Sequence, residues 1–457
     1  MNPDTANKAG ATPRTLAEAQ LPSFAEALRV WWRIGLLSFG GPAWQIALLH
    51  REVVDQRRWV SDARFLHALS FCNLLPGPEA QQLATYLGWL LHGVRGGLAA
   101  GMLFILPGAV VMLALSVIYV TFGQVPVVAA LFFGLKAAVL VLVVEALLRV
   151  ARRALKTSAA WAMAGAAFLA LFAFSVPFPL VVLGAALIGY LAPGAFRASD
   201  HGKAKDGPPA LLDAVLAADP GRPARLAAQA WRAGWVAVVL WLLPTAVLML
   251  AVGGVFADIA WFFSVMAVVT VGGAYAVLAY VAQEAVQGYG WLSADQMLVG
   301  LGLAETTPGP LILVLQFVGF LAGHGAAGIL YGVLASVLVL WVTFAPCFAW
   351  ILLGAPFVER LHGNRKLTGA LAAVTAAVVG VILNLALWFG LRVLFAEVRE
   401  VRFGPLSLDV PMPGSLDVLA LALAALAALC VFRLKLGLIR TLGVTAAAGL
   451  AAKLVLG

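Results

Sequence analysis

Residues 38–52 read SFGGPAWQIALLHRE and residues 57–80 read RRWVSDARFLHALSFCNLLPGPEA; 232 positions later, residues 270–284 read TVGGAYAVLAYVAQE and residues 289–312 read YGWLSADQMLVGLGLAETTPGPLI. At that one offset Gly40 faces Gly272, Gly41 faces Gly273, Glu52 faces Glu284, Trp59 faces Trp291 and Ser61 faces Ser293. Pro76-Gly77-Pro78 faces Pro308-Gly309-Pro310 without a gap, and the register runs on through His92/His324, Gly93/Gly325 and Gly96/Gly328. Agreement of so many rare residues at one offset makes the chain an internal duplication. In an apolar chain, duplication points to a transporter whose repeats frame a substrate site near the bilayer midplane.

The chain around these stretches is apolar enough for that reading. Its 457 residues are 63% hydrophobic and 11% charged, with mean hydropathy +0.98, against roughly 45–50% apolar and about 25% charged in soluble domains. A soluble enzyme is excluded. A span takes about 20 apolar residues, so the expected fold is an all-α polytopic membrane protein with on the order of 10–13 transmembrane or re-entrant helices. The two repeats are expected in inverted topology, each with an odd number of crossings. The boundaries read as a polar cytoplasmic tail at 1–23 without a cleavable signal peptide, a first repeat at 24–192, a polar linker at 193–229 and a second repeat at 230–457. The apolar segments 79–94 and 416–432 are short for full crossings, which suits tilted, broken or re-entrant helices.

Lys and Arg number 30 against 21 Asp and Glu, a net charge of +9. The bases cluster between apolar runs, as loop charge and not as a nucleic-acid patch. Arg149, Arg152, Arg153 and Lys156 form an acid-free run, placed in the cytoplasm as a headgroup anchor. Cys72, Cys347 and Cys430 have neither disulfide-framework nor metal spacing. No cofactor motif, paired metal set or catalytic triad is present, so no catalytic or metal residue is assigned.

Four constellations carry the expected chemistry. Pro76-Gly77-Pro78 and Pro308-Gly309-Pro310 each precede an apolar run, as helix starts whose free N–H groups and partial positive charge suit an anion. Gln82, Thr306 and Thr307 add polar side chains beside them. Gly40-Gly41-Pro42 and Gly272-Gly273-Ala274-Tyr275 interrupt apolar runs, as unwound points lining a cavity or as close helix contacts. Glu79 and Glu305 lie on opposite sides of their respective turns; a carboxylate beside an anion repels it unless protonated or paired, which makes the two candidates for proton coupling. Lys136, about midway along the apolar segment 126–148, is either a substrate contact or half of an ion pair with Glu145 or an acid on another helix. Gln81, Thr85, Gly88 and His92 share one helical face that is expected to look into a cavity or onto another helix.

Phe39-Gly40-Gly41-Pro42, Arg58-Trp59-Val60-Ser61, the run Leu75-Pro76-Gly77-Pro78-Glu79-Ala80-Gln81-Gln82-Leu83-Ala84-Thr85-Tyr86, Gly272-Gly273-Ala274-Tyr275 and Glu305-Thr306-Thr307-Pro308-Gly309-Pro310-Leu311 together resemble the chromate ion transporter (CHR) family in its long, two-domain form. The likeness covers about residues 24–454; Trp44 departs from it, standing where a small residue is expected. The resemblance implies a multi-pass protein of the bacterial inner membrane, built of oppositely oriented repeats. It further implies export of chromate with sulfate as a related substrate or competitor, and chromate resistance. Proton- or anion-coupled alternating access is the expected mechanism, with membrane lipid and a second copy of the chain as candidate partners and no cofactor. The competing readings are an oxyanion uptake carrier, a passive anion channel and, less favoured, a membrane-embedded enzyme.

Overall fold

The computed structural model describes residues 21–196, 210–269, 274–355, 365–404 and 406–456. Helix α1 (Phe24–Leu37) starts behind Ser23, whose hydroxyl accepts the Glu26 N–H, and stops short of Gly40 and Gly41, both left-handed with φ of 85° and 81°. Pro42 then falls in the first turn of α2 (Gly41–His50), where a missing N–H costs nothing. After a π-turn over Arg51–Gln56, α3 (Asp62–Cys72) leads to the first Pro-Gly-Pro turn.

Helix α4 (Glu79–Phe122) is bent double at His92 and Gly93, so that residues 79–91 and 94–122 form the two arms of a hairpin. Small residues let the arms touch: a Cβ on Gly88 would stand 2.4 Å from the Gly96 carbonyl oxygen, and one on Gly101 2.3 Å from Thr85 Oγ1. The face carrying Thr85 and Gly88 therefore looks onto its own second arm. Helices α5 (Pro126–Ala154), α6 (Ser158–Phe172) and α7 (Phe178–Leu191) complete the repeat.

Helices α8 (Leu211–Ala218) and α9 (Arg222–Val247) follow, α9 running on as a π-turn to Val252. Both lie in or enter the stretch expected as a polar linker. The second repeat then rebuilds the first. It has α10 (Gly254–Val269), α11 (Ala274–Gln283), a π-turn over Glu284–Gly288 and α12 (Ala294–Thr306), with Ser293 and Gln296 forming a capping box. The hairpin recurs as α13 (Val314–Ala327) and α14 (Ile329–Gly354), broken at Gly328. One hydrogen bond appears twice at the 232-residue offset: Trp59 N–H to the Val53 carbonyl and Trp291 N–H to the Ala285 carbonyl, both 2.8 Å. Phe24 packs on His92 at the first hairpin tip, and its equivalent Phe256 packs on Tyr331 at the second.

These tips lie at opposite ends of α9. Arg222 at its start donates to the Leu91 carbonyl at 2.8 Å, whereas Phe256 follows its end. The 31 residues of Arg222–Val252 rise by about 45 Å, so the two hairpins point to opposite faces and the repeats are inverted.

Helix α15 (Arg365–Leu394), the antiparallel pair β1 (Val398–Phe403) and β2 (Leu406–Pro411), α16 (Val418–Ala428) and α17 (Leu438–Leu456) finish the chain. The last helices are exchanged between repeats: α6 and α7 pack on α15, while α16 and α17 pack on α5. The approach is close, a Cβ on Gly380 lying 2.1 Å from the Ala164 carbonyl oxygen and one on Gly134 2.1 Å from that of Thr445. Among the described residues six helices are long and apolar enough to cross a membrane, and five shorter apolar helices accompany them. The all-α polytopic architecture stands.

Candidate functional site

The break between α1 and α2 opens onto a cleft of about 870 Å³. Gly40, Gly41, Pro42 and Trp44 line it from the start of α2, Glu145 and Arg149 from α5, Glu305 from α12, and Lys435 and Arg440 from either side of the start of α17. Both repeats therefore contribute. No side chain among the described residues caps α2, so its first-turn N–H groups and the positive end of its dipole face the cleft. Among the described residues a Cβ on Gly41 would meet nothing within 4 Å, which leaves the backbone open to a small ligand. Trp44 stands 3.7 Å from the Cβ position of Gly40 and is 54% exposed, bounding the cleft where a small residue was expected.

Electrostatics also favour an anion. Arg149 is paired with Glu145 at 2.5 Å, whereas Lys435 and Arg440 form no ion pair among the described residues. Three bases face two acids around the lining, and Glu305 is only 9% exposed. The N-terminus of α2 adds its partial charge to this excess.

The two Pro-Gly-Pro turns are placed reciprocally. Gly77 and Gly309 have φ of 122° and 92°, open to glycine and strained for other residues. Each turn rests on the long arm of the other repeat's hairpin: a Cβ on Gly108 would lie 1.9 Å from the Pro308 carbonyl oxygen, and one on Gly77 2.8 Å from Cys347 Sγ. The Gly309 N–H donates to the Ser38 carbonyl at 2.9 Å, and the Gly309 carbonyl accepts Gln45 Nε2–H at 2.6 Å. Gln82 Nε2–H donates to the Pro76 carbonyl at 2.7 Å, and Thr306 and Thr307 donate to the Leu303 and Ala304 carbonyls at 2.8 and 2.9 Å. In this conformation those donors are spent within the protein. The segment at Ser38–Gly40 touches both the cleft and the second turn.

Lys136 lies in the other half of α5, where it pairs with Asp295 of α12 at 3.0 Å and lines a separate cavity with Arg392 and Asp417. Its partner is thus the acid on another helix; Glu145 stands nine residues along α5, about 13 Å away. Glu79 is half-buried in the first turn of α4 and does not line the cleft that holds Glu305. Gly272 and Gly273 lie outside the described residues, as does the side chain of Tyr275. Sequence reasoning missed Glu145, Lys435 and Arg440 as cleft residues and read Arg149 as a headgroup anchor. The i, i+4 spacing of Glu145 and Arg149 was visible, but no pattern joined that pair to residues almost 300 positions later.

A family model described as chromate transporter matches residues 25–190 and 257–452. The chain belongs to the chromate transporter family. The two matched regions coincide with α1–α7 and with most of α10–α17, and α9 lies between them. The chain is 35% identical over 364 residues to a chromate transport protein of Pseudomonas aeruginosa, covering 79% of each. It is 27% identical over 360 residues to a probable chromate transport protein of Synechococcus elongatus, covering 79% of this chain and 83% of the other. A chromate transport protein of Cupriavidus metallidurans is 26% identical over 350 residues, 77% of this chain and 78% of that one. No solved structure matches. Family membership and the six long apolar helices make this a multi-pass membrane protein of a transporter family.

Proposed function

We propose that the protein is a secondary transporter that carries chromate outward across the inner membrane and so confers chromate resistance. The observation that carries this reading is the cleft at the start of α2, where an uncapped helix N-terminus meets a net basic lining at the seam of two inverted repeats. Discontinuous helices with an N-terminus aimed at an anionic group are a recurring way to bind anions inside a membrane. The cleft opens along the half of α5 that ends in Arg152, Arg153 and Lys156, the face taken as cytoplasmic. Loading from inside follows. A dianion leaving an inside-negative cell gains about 4.6 kcal/mol per 100 mV, so efflux runs with the field. Relatives named for chromate transport support the substrate.

Glu305 is the coupling group of the proposal. A buried carboxylate beside the anion opposes binding until it takes up a proton or loses its neighbour. Alternating access then consists of moving the Ser38–Gly40 joint relative to the Pro308–Pro310 turn, which frees the Gly309 N–H for the anion. Sulfate, a dianion of the same tetrahedral shape, is the expected competitor.

The test is chromate flux into proteoliposomes of purified protein, with membrane potential and pH gradient set independently and sulfate offered on the trans side. Saturable flux that responds to the pH gradient or to trans sulfate supports the coupled carrier. Flux that follows voltage alone without saturating indicates a channel, and accumulation only in the inward direction indicates an uptake carrier.

A further inference from the structure

A second cavity, of about 590 Å³, opens at the tip of the first hairpin, between the start of α1, the bend at His92–Gly93 and the first turns of α9. Arg95, Arg222, His92 and Gln229 form its polar wall, and among the described residues no Asp or Glu lines it. Arg222 Nη2 donates to the Leu91 carbonyl at 2.8 Å, capping the end of the short arm, and its Nε–H is buried without a partner. His92 Nε2–H donates to the Pro22 carbonyl at 2.8 Å, and its Nδ1 is likewise buried without a partner. Arg95 is exposed and forms no ion pair among the described residues.

Two guanidinium groups around one cavity, with no carboxylate of the described residues between them and a buried N–H left over, call for an anion with several acceptor oxygens. The level of the cavity narrows the choice. It sits where the Arg222–Val252 span begins, at the height of the membrane boundary, and Leu91 and Leu226 give it an apolar wall. The long arm of α4 leaves this face and α5 returns to it, so the face is that of Arg152, Arg153 and Lys156. We infer that this cavity binds a phosphate group, and that its source is the headgroup of an anionic phospholipid of the same leaflet. The site is distinct from the transport cleft, and its occupant braces the tip of the hairpin without being carried.

The test uses the full-length protein and Arg95→Gln. That side chain is exposed and unpaired, so the variant is expected to melt as the wild type does when delipidated. Native mass spectrometry after exchange into phosphatidylglycerol or phosphatidylcholine reads lipid retention, and calorimetric titration with inorganic phosphate reads free-ion binding. Preferential retention of phosphatidylglycerol that falls about fivefold in Arg95→Gln, the worth of one basic residue at an anionic surface, supports the lipid source. Binding of inorganic phosphate that falls equally in the variant, with no lipid preference, keeps the site and changes its source to the free ion. Equal retention of both lipids with no phosphate binding, or wild-type behaviour of Arg95→Gln, overturns the proposal.

Discussion

Glu305 and Gly108 show how single residues set the behaviour of the inter-repeat seam. Glu305 is the acid that the second repeat brings to the cleft. In Glu305→Gln, chromate flux driven by membrane potential is expected to persist while its dependence on the pH gradient disappears; a pH profile of flux indistinguishable from wild type would remove Glu305 from the coupling step. Gly108 answers to packing alone. Its Cβ position lies 1.9 Å from the Pro308 carbonyl oxygen, backbone that cannot swing aside, so Gly108→Ala is expected to cost about 1–3 kcal/mol, read as a lower melting temperature in detergent. Gly165 in α6 has nothing within 4 Å, and Gly165→Ala is the control, expected to be neutral or stabilising. Residue identity was a good guide where backbone geometry demanded it, as at Gly77 and Gly309. It was a poor guide to Lys435 and Arg440, whose meaning depends on where α17 packs.

Among the elements, the hairpins and α9 define the topology. If the tips lie on opposite faces, cysteines introduced at Ala218, before α9, and at Ala326, by the second tip, are expected to react with a membrane-impermeant maleimide from opposite sides of oriented vesicles. Cys72, Cys347 and Cys430 are buried and contribute little background. Labelling of both from one side would mean parallel repeats. The duplication was legible because turns, caps and glycines recur at fixed spacing. The reversal inside α4 was not: both arms are apolar, and the bend needs little more than His92 out of helix and Gly93 at φ 64°, which leaves no mark on hydrophobic periodicity. Only the shortness of segment 79–94 hinted at it. The π-turns that end α2 and α11 were equally silent, since one widened turn leaves composition unchanged.

Across the molecule, the exchange of α6 and α7 for α16 and α17 interlocks the repeats. A chain severed between Phe196 and Ala210 is expected to yield two fragments that co-purify when expressed together. Each fragment alone is expected to aggregate, because α5 or α15 lacks the helices that cover it. Monodisperse fragments on separate expression would show that the exchange is dispensable. Linear sequence conveyed two copies of one unit but not their exchange, because helix partners inside a membrane are chosen by small-residue fit, such as Gly134 against Thr445, and not by charge or periodicity.

The bond from Gln45 to Gly309 joins residues 264 positions apart. At about 5–20 residues per second, a ribosome reaches the second of them roughly 10–50 s after the first. During that interval the Gln45 amide still has the nearby Ser38 carbonyl as a partner, at 3.1 Å. The second bond, to Gly309, forms only once the second repeat is in place, so the tie between the broken helix of one repeat and the Pro-Gly-Pro turn of the other is among the last features of the fold to be completed during synthesis.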